Sequence, residues 1–400
     1  MSDQYAPLFA VATVNNDVLP ETTDSAFSFD YVDISSISDF HISGSLAQFT
    51  FREAPSRARR LAKPGDVALS TVRTYLRAIA PITEQHSDSV FSTGFAIIRP
   101  NPSVCDSMFL RYATLSTDFI DSVVSHSNGV SYPAINAADV IRLRIPLPPL
   151  ETQRRIADYL DRETAEIDAA VADLDRYIEL LEKRKRATGL AILEQARHEP
   201  TTLMVHLGSL GLFVSGSGFP HRYQGVEGEE FPFYKVGSLS TADEDGIIQD
   251  SRHSVSREVA EELGAKIIPT GSVLMAKIGE AMRLCRFVVT ATDCCIDNNM
   301  MAIIPRQDSI TSDYLRLALE LVTVDVLVNP GPVPSLNVQG LRMFSIPLPS
   351  VGVQKRMTTE WNKETDRLDS LIAESTRLRD LLIKRRSVLI TEVVTGRKQV

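Results

Sequence analysis

The chain has 400 residues, 44% of them hydrophobic and 23% charged, and a net charge of −9. That length exceeds one ordinary hydrophobic core, the composition excludes a disordered polar chain, and the acidic balance excludes nucleic-acid binding through bulk positive charge, since only residues 350–400 are net basic. No apolar run is long enough to span a bilayer, and the first twenty residues lack the basic and apolar regions of a secretory leader, so a cytoplasmic protein is expected.

In chain order, the opening MSDQYAPLFAVATVNND leaves the first strand in doubt. Short apolar runs at Val67–Val72 and Phe95–Ile98 are bounded by Pro, Gly, Asn and Asp, the punctuation of strands and turns, and a helical pattern follows over Asp106–Thr117. IPLPPL at 145–150 reads as an extended segment, because proline lacks an N–H and disfavours helix in the residue before it. From about Glu151 to Ala196 there is no proline and one glycine, Gly189. Leu160, Ile167, Val171, Leu174, Ile178 and Leu181 recur there at the spacing of a coiled-coil seam. The second half repeats the plan, with strands over Ser272–Ala276 and Met301–Ile304, a helix over Ser312–Val322, a second IPLP at Ile346, and a long helix. The seam of that helix is read as Leu368, Leu371, Leu378, Leu382 and Leu389, with polar Ser375 and Arg385 on the same stripe. At 1.5 Å per residue each helix runs roughly 65–70 Å, too long for one globule. A narrow apolar stripe needs a partner of its own kind, so antiparallel pairing is expected, with one globule at each end of the pair.

The two halves are copies. IPLPPLETQRRIA (Ile145–Ala157) returns as IPLPSVGVQKRMT (Ile346–Thr358), DRET (Asp161–Thr164) as NKET (Asn362–Thr365), and LLEKRK (Leu180–Lys185) as LLIKRR (Leu381–Arg386). Weaker matches lie upstream: YVDISSIS (Tyr31–Ser38) with FYKVGSLS (Phe233–Ser240), PGDVALS (Pro64–Ser70) with TGSVLMA (Thr270–Ala276), FAIIRP (Phe95–Pro100) with MAIIPR (Met301–Arg306), and SYPAIN (Ser131–Asn136) with VPSLN (Val333–Asn337). The repeated unit is therefore a whole domain. The expected fold class is α+β: two similar mixed α/β domains, 1–149 and 199–349, separated by two long antiparallel coiled-coil helices, 150–198 and 350–400. HLGSLGLFVSGSGFP (His206–Pro220) finds no counterpart at the start of the first copy; either an upstream start is missing or this domain is naturally shorter, and its first strand is in doubt.

Two related readers at a fixed separation suit two short elements on a rigid polymer, and duplex DNA is such a polymer. Base-edge hydrogen bonds carry its sequence and phosphate contacts set register. The candidate DNA-binding residues are Arg57, Arg59, Arg60 and Lys63 of a basic run, Thr71, Arg73, Tyr75 and Arg77 after the PGDVALS strand, and Ser127, Asn128, Ser131 and Tyr132 in a Gly-bearing loop. In the second copy they are Ser215, Ser217, Lys235, Lys277 and Arg283. Arginine grips guanine through two acceptors, and hydroxyls suit phosphates; the bland reading of the same residues is a solvated face and solvated turns. Cys105, Cys285, Cys294 and Cys295 have no C-x-x-C spacing, so no metal site is expected.

The twice-repeated IPLP segment leading into a long charged helix, the E-K-R-K and I-K-R-R helix ends, VVTGRKQV, and the TGSVLMAKIGEA segment together resemble the type I restriction-modification specificity-subunit family along nearly the whole chain. The resemblance implies two target recognition domains, each reading one half of a bipartite DNA target, and helices that act as spacers and dock two methyltransferase subunits, to which restriction subunits add. It places S-adenosylmethionine, ATP and magnesium in the partner subunits and none in this chain. No P-loop, G-x-S-x-G, H-E-x-x-H or cofactor-binding glycine fingerprint occurs, and Glu229, Glu230 and Lys235 lack the upstream acid a nuclease needs, so no intrinsic catalysis is expected. The alternative is a coiled-coil adaptor whose globules bind protein rather than DNA.

Overall fold

Strand β1 (Val67–Ser70) is buried on both faces, as an unbroken apolar run demands, and so lies inside a sheet rather than at its edge. It pairs antiparallel with Ile79–Pro81 on one side and with β2 (Phe95–Pro100) on the other, and β2 pairs in turn with Ala12–Val14. The computed structural model describes residues 5–38, 40–129, 133–243, 246–248, 250, 252–319, 321–329 and 333–400. Two units are distinguished, Met1–Leu174 with Arg377–Val400, and Asp175–Thr376; the division falls within both long helices, so each helix segment belongs to the globule it packs on.

In the first unit a five-stranded sheet accompanies the four-stranded one, with order Asp17–Val18, Ala58–Leu61, Val90–Ser92, Ser28–Val32, Ala47–Thr50. Val90–Ser92 runs parallel to Ser28–Val32. The helical pattern predicted over Asp106–Thr117 is the helix Ser107–Leu115, and a second helix follows it directly. The Asp106 carboxylate accepts from the N–H groups of Met108 and Phe109 and caps Ser107–Leu115, whose Phe109, Leu110, Tyr112 and Ala113 are wholly buried. Ser116 ends that helix and its hydroxyl caps the next, Thr117–Ser125.

The second unit builds the same centre. Strand β3 (Val273–Ala276) pairs antiparallel with β4 (Met300–Pro305), and the sheet order is Gly211–Ser215, β4, β3, Val288–Thr290, Ile247–Ile248. A smaller sheet holds Ser254–Val255, Phe231–Tyr234 and Cys295–Ile296. Helix Ser312–Leu319 buries Tyr314, Leu315 and Leu317 as its counterpart does.

The opening of the first domain does have a counterpart in the second, and the first strand left in doubt by the residues is present. Tyr5–Pro7 pairs with Arg144–Pro146, the Leu8 N–H donates to the Leu143 carbonyl, and Ala12–Val14 extends the sheet. In the second unit Leu203–His206 pairs with Ser345–Leu348, the Leu207 N–H donates to the Phe344 carbonyl, and Gly211–Ser215 pairs with β4. The two openings are the same structure written in unrelated residues. Backbone pairing and one fully buried leucine, Leu8 or Leu207, are all they share. Gly211 cannot be matched in sequence because its role is close approach: a Cβ there would meet Ile303 and the Ile304 carbonyl at 2.7 and 2.8 Å.

The long helices are α1 (Leu150–Arg197), of 48 residues, and α2 (Val351–Val394), of 44. Each is fastened to its globule by a fully buried glutamine just after the proline segment. Gln153 accepts from the Asp106 N–H at 2.8 Å and donates to the carbonyls of Val104 and Pro148; Gln354 accepts from the Thr311 N–H at 2.9 Å and donates to those of Ser309 and Pro349. Within each unit the helix segments run antiparallel. Arg386 is 2.8 Å from Asp168 and Arg155 reaches the Val400 carbonyl in the first unit, while Lys185 is 2.6 Å from Asp369 and Arg356 reaches Glu199 in the second. The seam of α1 is as predicted, with Leu160, Ile167 and Leu181 buried. That of α2 holds at Leu368, Ser375 and Leu389, which are buried, and at half-buried Leu371 and Leu382, and is corrected at two positions. Leu378 is 50% exposed and Arg385 is exposed, whereas Arg386 is 8% exposed and buried. Arg386, ion-paired at the seam with the partly exposed Asp168 of the facing helix, takes the place read as Arg385.

Candidate nucleic-acid interface

In both units the loop leaving the central strand is tied to the segment that precedes the last short helix, so stretches distant in sequence become one surface. After β1, the Thr71 N–H and hydroxyl both donate to the Gly94 carbonyl, at 2.8 and 2.9 Å, and the Ile135 N–H donates to the Thr71 carbonyl at 2.8 Å. After β3, the Lys277 N–H donates to the Asn299 carbonyl at 2.6 Å, and the Leu336 N–H to the Lys277 carbonyl at 2.8 Å. Thr71 and Lys277 thus hold equivalent places. The loop of Ser127 and Asn128 joins the first surface: Asn128 exchanges backbone hydrogen bonds with Ala134, and the Ser127 hydroxyl, which donates to the Val123 carbonyl, lies 2.8 Å from the buried Thr74 hydroxyl. Ser131 and Tyr132 lie outside the described residues.

Each loop closes through left-handed backbone. Arg73 (φ 51°) and Arg77 (φ 53°) bracket a single 3-10 turn, Thr74–Leu76, and Gly279 (φ 92°) and Cys285 (φ 46°) bracket Glu280–Leu284. A non-glycine residue held there costs on the order of 1–3 kcal/mol and persists only where the surroundings enforce it, a pattern that concentrates at functional sites. The strain fixes the directions of Arg73, Tyr75 and Arg77, all exposed; the Arg77 guanidinium is 3.9 Å from Asp121.

In the second unit three candidates converge on one carboxyl. Lys235 and Lys277 both act electrostatically on Asp297, whose carboxyl burial pushes above the usual range despite them. Ser217 bridges to Asp297 through the backbone, its hydroxyl buried without a partner among the described atoms. Gly216 permits this approach, since a Cβ there would fall 2.1 Å from the Asp297 carbonyl. The Lys235 ammonium donates to Gln224 at 3.0 Å, Arg283 pairs with Glu280 at 2.9 Å, and Ser215 is exposed at the end of its strand.

The basic run is not part of either loop surface. It forms the strand Ala58–Leu61, where neighbouring side chains alternate faces. The Arg59 guanidinium lies 4.9 Å over the Phe51 ring, Arg60 is half-buried, and Lys63 is 3.7 Å from Asp17, which with Asp66 holds Arg99. The Arg99 hydrogen bond holds the Asp17 carboxyl below the usual range. Arg57 is exposed, and its carbonyl accepts from Thr93, next to the Gly94 that anchors Thr71.

Sequence reasoning passed over Leu76 and Leu284, because a leucine among polar residues reads as core, and over Gly94 and Asn299, which act only through their carbonyls. Among the described residues no cluster of His, Cys, Asp and Glu is arranged to hold a metal, and no helix is long and apolar enough to cross a membrane.

Residues 68–173, which take in all but the first residue of β1, both loops of the first unit and half of α1, match the family model for the type I restriction modification DNA specificity domain. A segment of 111 residues, 27% of this chain, is 25% identical to the type I restriction enzyme HindI specificity subunit of Haemophilus influenzae, and it spans 24% of that protein's length. Among solved structures, a chain described under complex assembly and conformational transition of the type I R-M system shares the fold over 98% of this chain and 97% of its own, with a TM-score of 0.65 and 23% identity. The HsdS subunit of Thermoanaerobacter tengcongensis aligns over 98% of this chain and 96% of its own at 25% identity, with a TM-score of 0.44.

Proposed function

We infer that this chain, a member of the type I restriction-modification specificity family, reads a bipartite duplex DNA target, each unit taking one half. The observation that carries the reading is the duplicated loop surface, built by equivalent backbone bonds through Thr71 and Lys277 in units whose loops carry different residues, Arg73, Tyr75 and Arg77 in one and Lys277 and Arg283 in the other. A common scaffold with divergent loops suits two readers of different sequence. Arg73, Tyr75 and Arg77 of the first unit, and Lys235, Lys277 and Arg283 of the second, are the groups that meet DNA. The overall acidity makes non-specific attraction weak, so partners supply part of the affinity.

In this reading the long helices set the number of bases between the two halves and dock two methyltransferase subunits, to which restriction subunits add. The chemistry belongs to those partners, which carry S-adenosylmethionine, ATP and magnesium; this chain acts without a cofactor of its own, in the cytoplasm. Selection from a pool of random duplexes by the full chain, with and without co-purified partner subunits, tests the reading. Enrichment of two short elements at one fixed gap is expected, and retention without sequence preference overturns it. Seven residues inserted into α1 should alter the gap and leave both elements unchanged.

A further inference from the structure

The side chains at the tips of the two loops are of the wrong kind for a reader that works by hydrogen bonds alone. Leu76 is 51% exposed and Leu284 59% exposed. Each is the residue directly before the left-handed residue that closes its turn, Arg77 in one unit and Cys285 in the other, although the two turns differ in length and share no other residue. The turns are firmly held. Leu76 N–H donates to the Arg73 carbonyl and Arg77 N–H to that of Thr74; Met282 N–H donates to the Gly279 carbonyl and Cys285 N–H to that of Met282. Thr74 and Met282, each 4% exposed, root the turns inward while the leucines face solvent. Tyr75, 52% exposed, stands beside Leu76, and the guanidiniums of Arg77 and Arg283, each 53% exposed, flank the tips.

We propose that Leu76 and Leu284 are wedges, each entering the base stack of its half of the target and unstacking one step. The proposal rests on the DNA reading above and deepens it. An apolar side chain held rigidly in water at a protein tip loses nothing on entering a base step, and the unstacking it causes is offset by the added surface that a bent duplex presents to the protein. The flanking guanidiniums, ion-paired with Asp121 and Glu280, exchange those carboxylates for the phosphates on either side of an opened step. The occupant is duplex DNA and not a protein groove, because an exposed arginine borders each leucine and its charge complements a phosphate backbone. Recognition at these positions then depends on how easily a step deforms, so that flexible pyrimidine–purine steps are favoured where no base edge is touched.

The test uses the full chain with its co-purified partner subunits and the duplexes it selects from the random pool. Permanganate oxidation of thymines and the fluorescence of 2-aminopurine placed step by step report unstacking. One reactive step in each half is expected for the wild type. Leu76→Ser should abolish the signal in one half only and Leu284→Ser in the other, while Leu76→Met and Leu284→Met keep it. Unstacking that persists in both serine variants, or is absent from the wild-type complex, overturns the wedge and leaves the DNA reading standing. Loss of co-purified partner subunits in the serine variants, with unstacking intact, assigns the leucines to protein docking and overturns it as well. A wild-type chain that selects no sequence overturns the DNA reading, and the wedge with it.

Discussion

Replacing Gln354 by alanine isolates the joint between the globule of the second unit and its long helix. The amide is fully buried and makes three hydrogen bonds, accepting from the Thr311 N–H at 2.9 Å and donating to the Ser309 and Pro349 carbonyls, each at 2.9 Å. Alanine leaves the Thr311 N–H facing a void, which costs about 1–3 kcal/mol, and removes two further bonds worth about 0.5–1.5 kcal/mol each, for a loss of roughly 3 kcal/mol. With an m-value of about 3 kcal/mol per molar urea for a unit of this size, the midpoint of that unit's unfolding falls by about 1 M. Amide exchange supplies the local readout: the Thr311 N–H should lose its protection while the Asp106 N–H, held in the same way by Gln153, keeps it. Gln354→Glu should be at least as damaging at neutral pH, because a carboxylate would face two carbonyl oxygens. A midpoint within 0.2 M of wild type for the alanine variant, with Thr311 still protected, would refute the view that this amide fastens the helix.

Arg386 sits nearly buried on the seam while its partner Asp168 is 43% exposed, so solvent screens the pair and a double-mutant cycle of Arg386→Met with Asp168→Ala should give a coupling of about 1 kcal/mol, read by urea unfolding. Burial raises the Asp297 carboxyl, so the folded state holds its proton more tightly than the unfolded one. Its contribution is therefore present at acid pH and lost as pH rises from the ordinary carboxylate range through the elevated value; Asp297→Asn should flatten that part of the stability–pH curve, and an unchanged slope would count against the assignment. Arg73→Gly should stabilise the first unit by about 1 kcal/mol through relief of left-handed strain and yet weaken DNA retention, whereas Arg73→Ala should weaken retention without the gain. Thermal unfolding and filter binding separate the two effects.

Much of the plan was legible in the residues. The IPLP segments, the glycine- and proline-poor stretches after them and the seam of α1 follow from proline's missing N–H and from helical period, both local properties of the chain, and so does the duplication. Where sequence reading failed, the controlling contact was non-local. The first strand pair is held by backbone bonds from Tyr5–Pro7 to Arg144–Pro146, which leave almost no mark on side-chain identity, so YAPLF and LMVHL do not look alike. Arg385 and Arg386 are the same residue type, and only the ion pair with Asp168 on the facing helix places Arg386 on the seam of α2. At the interface, residue type alone gathered Arg57–Lys63 with Arg73 and Arg77, but strand alternation and the Asp17 and Phe51 partners hold Arg59, Arg60 and Lys63 apart from the loop. Left-handed backbone at Arg73 and Arg77 has no sequence signal, because arginine does not favour it; the fold imposes it through the Thr71–Gly94 and Thr71–Ile135 bonds. Sequence fixes which segments are stiff and which are duplicated, since those depend on neighbours along the chain. Which side chains reach solvent together is decided by pairings between strands and loops apart in the chain, such as Thr71 with Gly94 and Ile135, and those only the folded structure contains.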